Sequence, residues 1–369
     1  MGFKTPLYEK HLQENAKMVD FAGWDMPIQY RGVMEEHHAV RKEAGMFDVS
    51  HMLSVDITGE NAKVFIRYLL ANDVSKISKG KAIYSCMLNH EAGIVDDLIA
   101  YYFADNFIRL VINAGNRVTD VIWMKEHAKK FNVEIKVRDD LAIIAVQGPK
   151  ARQKANIALG NLVVKDVENL KPFAMYKTGE WMIARTGYTG EDGYEISLPV
   201  AEAAAFWEKL KQAGVMPSGL AARDTLRLEA GMNLYSQDMD LTTTPIESAL
   251  MWTVSWTADR DFIGKEALAA KKSQIDMQLV GLVLLDRGVL RHGQKVIVEG
   301  CDKCGVITSG TFSPTLAESI ALARIPKNAE VVFVEIRNRL IPAKIVQFPF
   351  VRKGEKVYKE CQRTLAENE

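Results

Sequence analysis

The sequence predicts an α+β protein with more than one domain, the last of them rich in β-strands. Three observations support this fold class. The chain has 369 residues, which is more than a single hydrophobic core usually serves. Helical and strand-like segments are interleaved as far as residue 277. From residue 278 to residue 350 nearly every apolar run is short and bounded by turn residues, as in a small β-barrel or sandwich.

Helices are predicted where apolar residues recur at three- and four-residue spacing. Residues 61–73 show this spacing at Val64, Phe65, Tyr68 and Leu69. The other predicted helices cover residues 34–45, 116–131, 149–159, 201–214 and 220–231. Gly45 is expected to end the first of these. That helix carries His37 and His38, which we expect on its solvated face rather than as a metal-binding pair.

Strands are predicted in the apolar runs between the helices. "AIYSCML", "IVDDLIAYYF" and "FIRLVINAG" are joined by short turns and predict an antiparallel meander. With "VEIKV", they make residues 54–137 a compact unit of its own. "LAIIAVQG", "AMYKTGEWMIART" and "GYEISLP" predict further strands of the surrounding domain.

The composition excludes several classes of function. Lys plus Arg equals Asp plus Glu, at 47 each, whereas a protein whose main partner is nucleic acid normally has a basic surplus. No apolar run approaches the length of a membrane span, and the N-terminus lacks the features of a targeting segment. The four cysteines are too few for a disulfide framework, and Cys301 and Cys304 lack the second pair that a zinc site needs. We therefore expect a cytoplasmic protein without a metal.

Familiar catalytic motifs are missing from the sequence. It contains no GxxxxGK[ST], GxSxG or HExxH. The glycines of "TGYTGEDGYE" are evenly spaced by three, which does not match the dinucleotide-binding GxGxxG.

Two adjacent acids inside a predicted strand are the most informative polar residues. Asp96 and Asp97 follow apolar residues in "GIVDDLIAYYF", where a buried charge is costly unless it is paired or used. Strand residues alternate between faces, so only one of the two is expected to face a shared pocket. Asn113 in the neighbouring strand and Glu195 in "DGYEISLP" are further candidates. The other interpretation for each is a turn cap or an exposed face.

Several stretches together resemble the glycine cleavage T-protein family. They are "TPLYEKH", "MVDFAGWDMPIQY", "GMFDVSHM", "GIVDDLI", "VINAGN", "VQGP", "RTGYTGEDGYEI", "GLAARDTLRLEAGMNLY", "TPIESAL", "DFIGKEAL", "ITSGTFSPTL" and "PFV". They extend from Thr5 to Val351, and "TGYTGEDGYE" and "GLAARDTLRLEAG" within them are the most specific.

The resemblance implies a three-domain cloverleaf with folate in a central opening. It gives a discontinuous first domain of residues 1–53 and 138–250. The second domain comprises residues 54–137, joined by 251–277, and a C-terminal barrel-like domain comprises 278–369.

The resemblance also implies a reaction and its partners. Members of this family are aminomethyltransferases that act on the aminomethyl group carried by the lipoyl sulfur of the H-protein. Tetrahydrofolate, a cosubstrate, accepts the methylene carbon, and ammonia and 5,10-methylenetetrahydrofolate are released. Asp97, rather than Asp96, matches the essential acid of the family.

The resemblance places further residues around the folate. Glu195 matches the acid at the amino edge of the pterin, whereas Arg223 and Trp252 match contacts to the outer half of the folate. Tyr358 is a further match, although the spacing after "PFV" differs from that of the family. Arg291 is a candidate near the same cleft. The remaining matches, all beside the pterin, are Met52, Tyr84, Val111 and Asn113.

Relatives with this fold leave alternatives open. One is a folate-binding assembly factor for iron–sulfur proteins, whose KGCYxGQE-type motif has no counterpart here. Another is the folate domain of a flavin-dependent demethylating enzyme, which is fused to a dinucleotide-binding half. A third is a non-catalytic folate-binding module, which the presence of Asp97 disfavours.

Overall fold

The structure is a computed structural model that describes residues 2–360. Cys361 lies outside this range. The α-helices are α1 (Tyr8–Gln13), α2 (Val33–Lys42), α3 (Ala62–Leu69), α4 (Arg117–Ala128), α5 (Ala151–Leu159), α6 (Asn161–Val167), α7 (Val200–Gln212), α8 (Leu220–Glu229) and α9 (Lys265–Lys271). Short 3₁₀ turns occur at Val74–Lys76, Ala114–Asn116 and Met251–Thr253.

The strands form three larger sheets and two two-stranded ribbons. In chain order they are β1 (Lys17–Phe21), β2 (Trp24–Gln29), β3 (Gly45–Asp48), β4 (Leu53–Thr58), β5 (Lys81–Leu88), β6 (Ile94–Ala104), β7 (Phe107–Ile112), β8 (Glu134–Val137), β9 (Leu141–Gln147), β10 (Met175–Thr178), β11 (Trp181–Ala184), β12 (Gly193–Pro199), β13 (Met216–Pro217), β14 (Met277–Leu284), β15 (Lys295–Val298), β16 (Gly305–Ser313), β17 (Glu318–Pro326), β18 (Val332–Ile336), β19 (Arg339–Gln347), β20 (Val351–Arg352), β21 (Glu355–Lys356) and β22 (Lys359–Glu360).

The first sheet has the strand order β10-β11-β12-β9-β3-β13. Its central strand β9 is buried along its whole length, as expected for a strand covered on both faces. Helices α5 and α7 pack against it, and Trp207 of α7 is completely buried in the core that they share.

Helix α2 ends at Lys42, before the predicted stop at Gly45, which instead begins β3. A Cβ on Gly45 would lie 2.4 Å from Val40 Cγ2, so only glycine fits there.

The second sheet has the order β5-β6-β7-β4-β8. Strands β5, β6 and β7 pair antiparallel in sequence order, which confirms the predicted meander. Helices α3 and α4 supply apolar side chains such as Phe65 and Met124 to its core. All five strands come from residues 53–137, although the limits of the domains themselves stay predictions.

The third sheet closes into a barrel at the C-terminal end of the described chain. Its strands follow the order β14-β17-β16-β15-β18-β19, and β19 pairs back with β14. The predicted barrel-like domain is thus confirmed, and β22 adds to it at β19. Closure leaves the six barrel strands without a free edge.

Within residues 2–360, no helix combines the length and the apolar character that crossing a membrane requires.

A buried ionic cluster joins the first sheet's helices to the barrel, and it corrects one prediction. His37 is completely buried rather than solvated, and it contacts Thr225 at 2.8 Å and Thr315 at 3.0 Å. Arg41 Nη2 donates to Glu229 Oε2 at 2.7 Å. Burial alone would raise the pKa of Glu229, but hydrogen bonds and charge from His37 and Arg41 lower it to about 2. The pattern of charged residues in α2 did not predict this cluster, because the side-chain hydrogen-bond partners of His37 and Arg41 lie at least 148 residues away in sequence.

Replacing Arg41 with Met should destabilise the protein strongly, because Glu229 and Glu191 would remain buried without their cation. Breaking a buried ion pair from one side costs about 3–5 kcal/mol. Denaturant unfolding of the variant and the wild type measures the difference.

Arg31→Met is the matched control for this test. Arg31 pairs with Glu35 on the surface of the protein, and such exposed pairs contribute about 0–1 kcal/mol. Equal losses of stability in the two variants would contradict the role assigned to the buried cluster.

Candidate active site

Asp97 is held by neutral hydrogen-bond donors from the two strands beside it. Tyr84 on β5 donates its hydroxyl to Asp97 Oδ2 at 2.8 Å. Asn113, which follows β7, donates its side-chain amide to Asp97 Oδ1 at 2.9 Å. The register explains the first contact, because Cys86 lies opposite Asp97 and Tyr84 is two residues further along the same face. Asp97 therefore has a fixed orientation without a cationic partner.

Asp96 accepts hydrogen bonds from several donors, which the alternation of side chains along the strand did not predict. Its side chain is completely buried and accepts from the backbone N–H of Asn113 at 3.1 Å and its side-chain amide at 2.8 Å. Asn116 adds a third hydrogen bond at 2.8 Å. The 3₁₀ turn Ala114–Asn116 wraps around the end of the sheet, so one asparagine reaches carboxylates on both faces. The two acids are coupled through Asn113, contrary to the expectation that only one of them belongs to the site.

The surroundings of Asp97 change its acidity. Burial, and next the charge of Asp96, raise the pKa of Asp97 from its ordinary 3.8 to about 7. Hydrogen bonds from Tyr84 and Asn113 oppose this rise because they favour the ionised form. A carboxyl group poised near neutral pH is typical of a functional site.

A cavity of about 580 Å³ has a wall that the charge of Asp97 reaches. Its wall includes Arg223, Tyr188 and Arg291, and a volume of this size suits a small organic ligand. The Arg223 guanidinium lies 4.8 Å from the centre of the Tyr188 ring. Its Nη1 is buried and has no hydrogen-bond partner among the described residues, so it can donate to a bound group. Asp97 is not part of the cavity wall, but its charge acts on Tyr188.

Glu195 lies where the first two sheets meet. Its Oε2 accepts a hydrogen bond from the Thr186 hydroxyl at 2.6 Å, and Thr186 contacts the Tyr101 hydroxyl of β6 at 3.2 Å. The charge of Glu195 also stabilises the protonated form of Arg223, which burial disfavours. Glu195 is thus tied both to the strand of Asp97 and to the cavity.

Three apolar candidates fall into two places around Asp97. Val111 is buried in the core between the first two sheets, and Met52 packs against that core. Trp252 stacks on Tyr84 with 5.5 Å between the ring centres, yet it is 68% exposed. A large exposed aromatic ring next to a buried acid offers a surface for a flat ligand.

The structure does not bring every predicted residue to one place. Tyr358 lies beyond the barrel strands, and its hydroxyl donates to Glu318 at 2.9 Å. No hydrogen bond or ring contact in the described chain joins Tyr358 to Asp97 or its partners. Its role stays a prediction, as does that of Arg291, whose place in the cavity wall is compatible with ligand contact.

Sequence reasoning also missed residues that shape the cavity. Tyr188 and the fully buried Arg227 line it, and Arg227 pairs with Asp238 at 3.0 Å. Both lie in the quoted stretches "TGYTGEDGYE" and "GLAARDTLRLEAG", so the signal was present in the motifs.

Among residues 2–360, no group of three or more His, Cys, Asp or Glu side chains is arranged to hold a metal ion.

Family models match nearly the whole chain. Residues 7–258 match the GCVT N-terminal domain, and residues 278–352 match the glycine cleavage T-protein C-terminal barrel domain. The chain belongs to the glycine cleavage T-protein family. The predicted family, fold class and enzyme class are therefore confirmed, and the chain is an aminomethyltransferase.

Solved structures agree with the T-protein assignment. The glycine cleavage system aminomethyltransferase T from Bartonella henselae has a TM-score of 0.91 and 36% identity, over 96% of this chain and 99% of that one. Heterotetrameric sarcosine oxidase from Corynebacterium sp. U-96 has a TM-score of 0.35 and 9% identity, over 57% of this chain and 93% of that one. The second likeness is too distant to bear on fold or function.

Replacing Tyr84 with Phe should raise the pKa of Asp97 above about 7, because the variant loses a hydrogen bond that favours the carboxylate. NMR titration of the Asp97 side-chain carbon measures this directly. Tyr102→Phe, which removes a hydroxyl bonded to Asp105 instead, is the control. An unchanged or lower Asp97 pKa in Tyr84→Phe would show that this hydrogen bond does not tune the acid.

Proposed function

We propose that this T-protein transfers the methylene carbon of an aminomethyl group on lipoylated H-protein to tetrahydrofolate. The products are ammonia, 5,10-methylenetetrahydrofolate and the free lipoyl thiol. The observation that carries the proposal is the Asp97 carboxyl, which is fixed by Tyr84 and Asn113 and poised near neutral pH, and whose charge reaches the wall of a ligand-sized cavity.

Arg223 in the cavity wall and several groups around Asp97 suit the two ends of a folate. A pterin presents an amino group and a ring N–H side by side, and an ionised carboxylate such as Glu195 accepts both. The benzoyl-glutamate end is anionic, and Arg223 supplies a buried guanidinium nitrogen without a partner. Met52, Val111 and the Tyr84–Trp252 stack offer apolar surface for the flat rings.

Asp97 would act on the charge that develops during transfer. As the carbon exchanges its bonds to the amino nitrogen and the lipoyl sulfur for bonds to tetrahydrofolate nitrogens, it becomes cationic and iminium-like, and a preorganised carboxylate stabilises it in a site of low polarity. Asp97 would also orient the reacting amine of tetrahydrofolate as a hydrogen-bond acceptor. Further acceleration would come from holding two bulky carriers in register, without a covalent intermediate on the protein.

No feature of the described residues favours the other candidate, a non-catalytic folate-binding relative such as an iron–sulfur assembly factor. It would need the cavity but not an acid poised near neutral pH. A direct assay separates the two. Purified protein is mixed with tetrahydrofolate and aminomethyl-loaded H-protein, and ammonia is measured with each component omitted in turn. Release that does not depend on folate would overturn the proposed reaction.

Asp97→Asn should retain tetrahydrofolate binding within a few-fold while turnover falls about 100- to 1000-fold, as for loss of one charge-stabilising group. Because the carboxylate is the active form, wild-type turnover should rise as the pH increases through about 7.

The control for this variant is Asp105→Asn, which changes an acid with a largely exposed side chain in the turn after β6. It should retain wild-type turnover and its pH profile. Near-normal turnover in Asp97→Asn would remove Asp97 from the mechanism, whereas loss of folate binding would assign it to binding alone.

A further inference from the structure

A third carboxyl group lies against the Asp96–Asp97 pair. Asp120 is in the first turn of α4, and its side chain is completely buried. Neither of its oxygens accepts a hydrogen bond from an N–H or O–H donor in the described chain. Its contact is with Asp96, which lies within hydrogen-bonding reach. No salt bridge in the described residues joins a lysine or arginine to any of the three acids.

Full ionisation of all three carboxyl groups is unfavourable, because Asp96 and Asp120 are completely buried, Asp97 is partly buried, and the charges of Asp96 and Asp97 both act on Asp120. A buried pair of carboxylates without a cation is relieved when one of them retains a proton, which then bridges the pair. Asp96 already accepts three hydrogen bonds from Asn113 and Asn116, and these favour its ionised form. Asp120 receives none, so the shared proton belongs on Asp120.

We propose that Asp120 is a positioning residue for the transfer reaction: a protonated carboxyl that donates its hydrogen to Asp96 and keeps Asp96 ionised. The ionised Asp96 holds Asn113, and Asn113 holds Asp97. This role rests on the proposed function of Asp97. The acidity of the group agrees, because burial and then the charge of Asp96 raise the pKa of Asp120 to about 11.

The other titratable groups near the three acids are neutral and hold hydrogens of their own. Tyr235 packs near Asp96 and Asp120, but its hydroxyl donates to the Ile94 carbonyl. Burial raises the pKa of the Cys86 thiol, and the charges of Asp97 and Asp96 add to the rise, so it stays neutral. Tyr84 and Tyr188 face Asp97 and are likewise neutral, because burial raises the pKa of both phenols.

The consequence concerns the pH at which Asp97 ionises. The negative charge of Asp96 contributes to the raised pKa of Asp97. Without the hydrogen from Asp120, the pKa of Asp96 would rise further, so Asp96 would be ionised less often and its charge would raise the pKa of Asp97 less. The proton on Asp120 thus influences the pH below which turnover falls, which is the acid limb of the pH profile, although Asp120 is not part of the cavity wall.

Two substitutions separate a protonated Asp120 from an ionised one. Asp120→Asn retains a neutral hydrogen-bond donor, so turnover should stay within about threefold and the acid limb should stay near pH 7. Asp120→Leu removes the donor, so the acid limb should move down by about one pH unit and kcat should fall about tenfold. A downward shift in Asp120→Asn, or no shift in Asp120→Leu, would overturn the proposal.

A spectroscopic measurement tests the proton without the transfer assay. At pH 9 Asp97 is ionised and Asp120 should still be protonated, given their pKa values of about 7 and about 11. The infrared difference between wild type and Asp120→Asn should show the loss of one protonated-carboxyl band, and Asp105→Asn should show no such loss.

This measurement keeps the two proposals distinguishable. If the band is present but no folate-dependent ammonia is released, the proposed function fails and the proton on Asp120 stands. If Asp120→Asn is folded by thermal unfolding and loses no band, Asp120 is ionised in the wild type and the proposal is wrong.

Discussion

The active site depends on one constraint: the carboxyl groups on β6 and α4, two of them completely buried and that of Asp97 partly buried, have no cationic partner among the described residues. Burial limits their hydration, so neutral donors must meet their charge. Asn113 meets most of it, because it contacts both Asp96 and Asp97 through one side chain. Neutral donors stabilise a carboxylate less than an ion pair does, and the acid therefore stays close to its ionisation point. That balance gives Asp97 its proposed chemical use.

The same protein contains the opposite solution around Glu229. There a buried carboxylate receives Arg41 and His37 together with hydroxyl groups from the barrel, and its pKa falls to about 2. Such a group is ionised at every physiological pH and serves structure. Glu229, which has a cationic partner, therefore keeps a permanent charge that stabilises the structure. Asp97, which has none among the described residues, changes its charge near neutral pH.

Local pattern predicted much of the fold but only part of the site. The meander, the barrel and the position of Asp96 and Asp97 inside a strand followed from apolar periodicity and turn residues, which act over a few residues. The buried state of His37 did not follow, because Thr225 and Thr315 are distant in sequence and give no local signal. The coupling of Asp96 to Asp97 was missed for a different reason. The alternation of side chains between the two faces holds within a regular strand. Asn113 follows the last residue of β7 and precedes a 3₁₀ turn, so its side chain can reach acids on both faces of β6.

The hydroxyl groups around Glu229 also constrain how the chain is made. Ser313 donates to Glu229 from 84 residues further along the chain. A ribosome therefore releases helix α8 well before it has synthesised the strand that completes the hydrogen bonds of this carboxylate. The N-terminal part can form its sheet early, but this helix reaches its final state only when the last domain arrives. The barrel is consequently a component of the first domain's folding and not an addition to a finished enzyme.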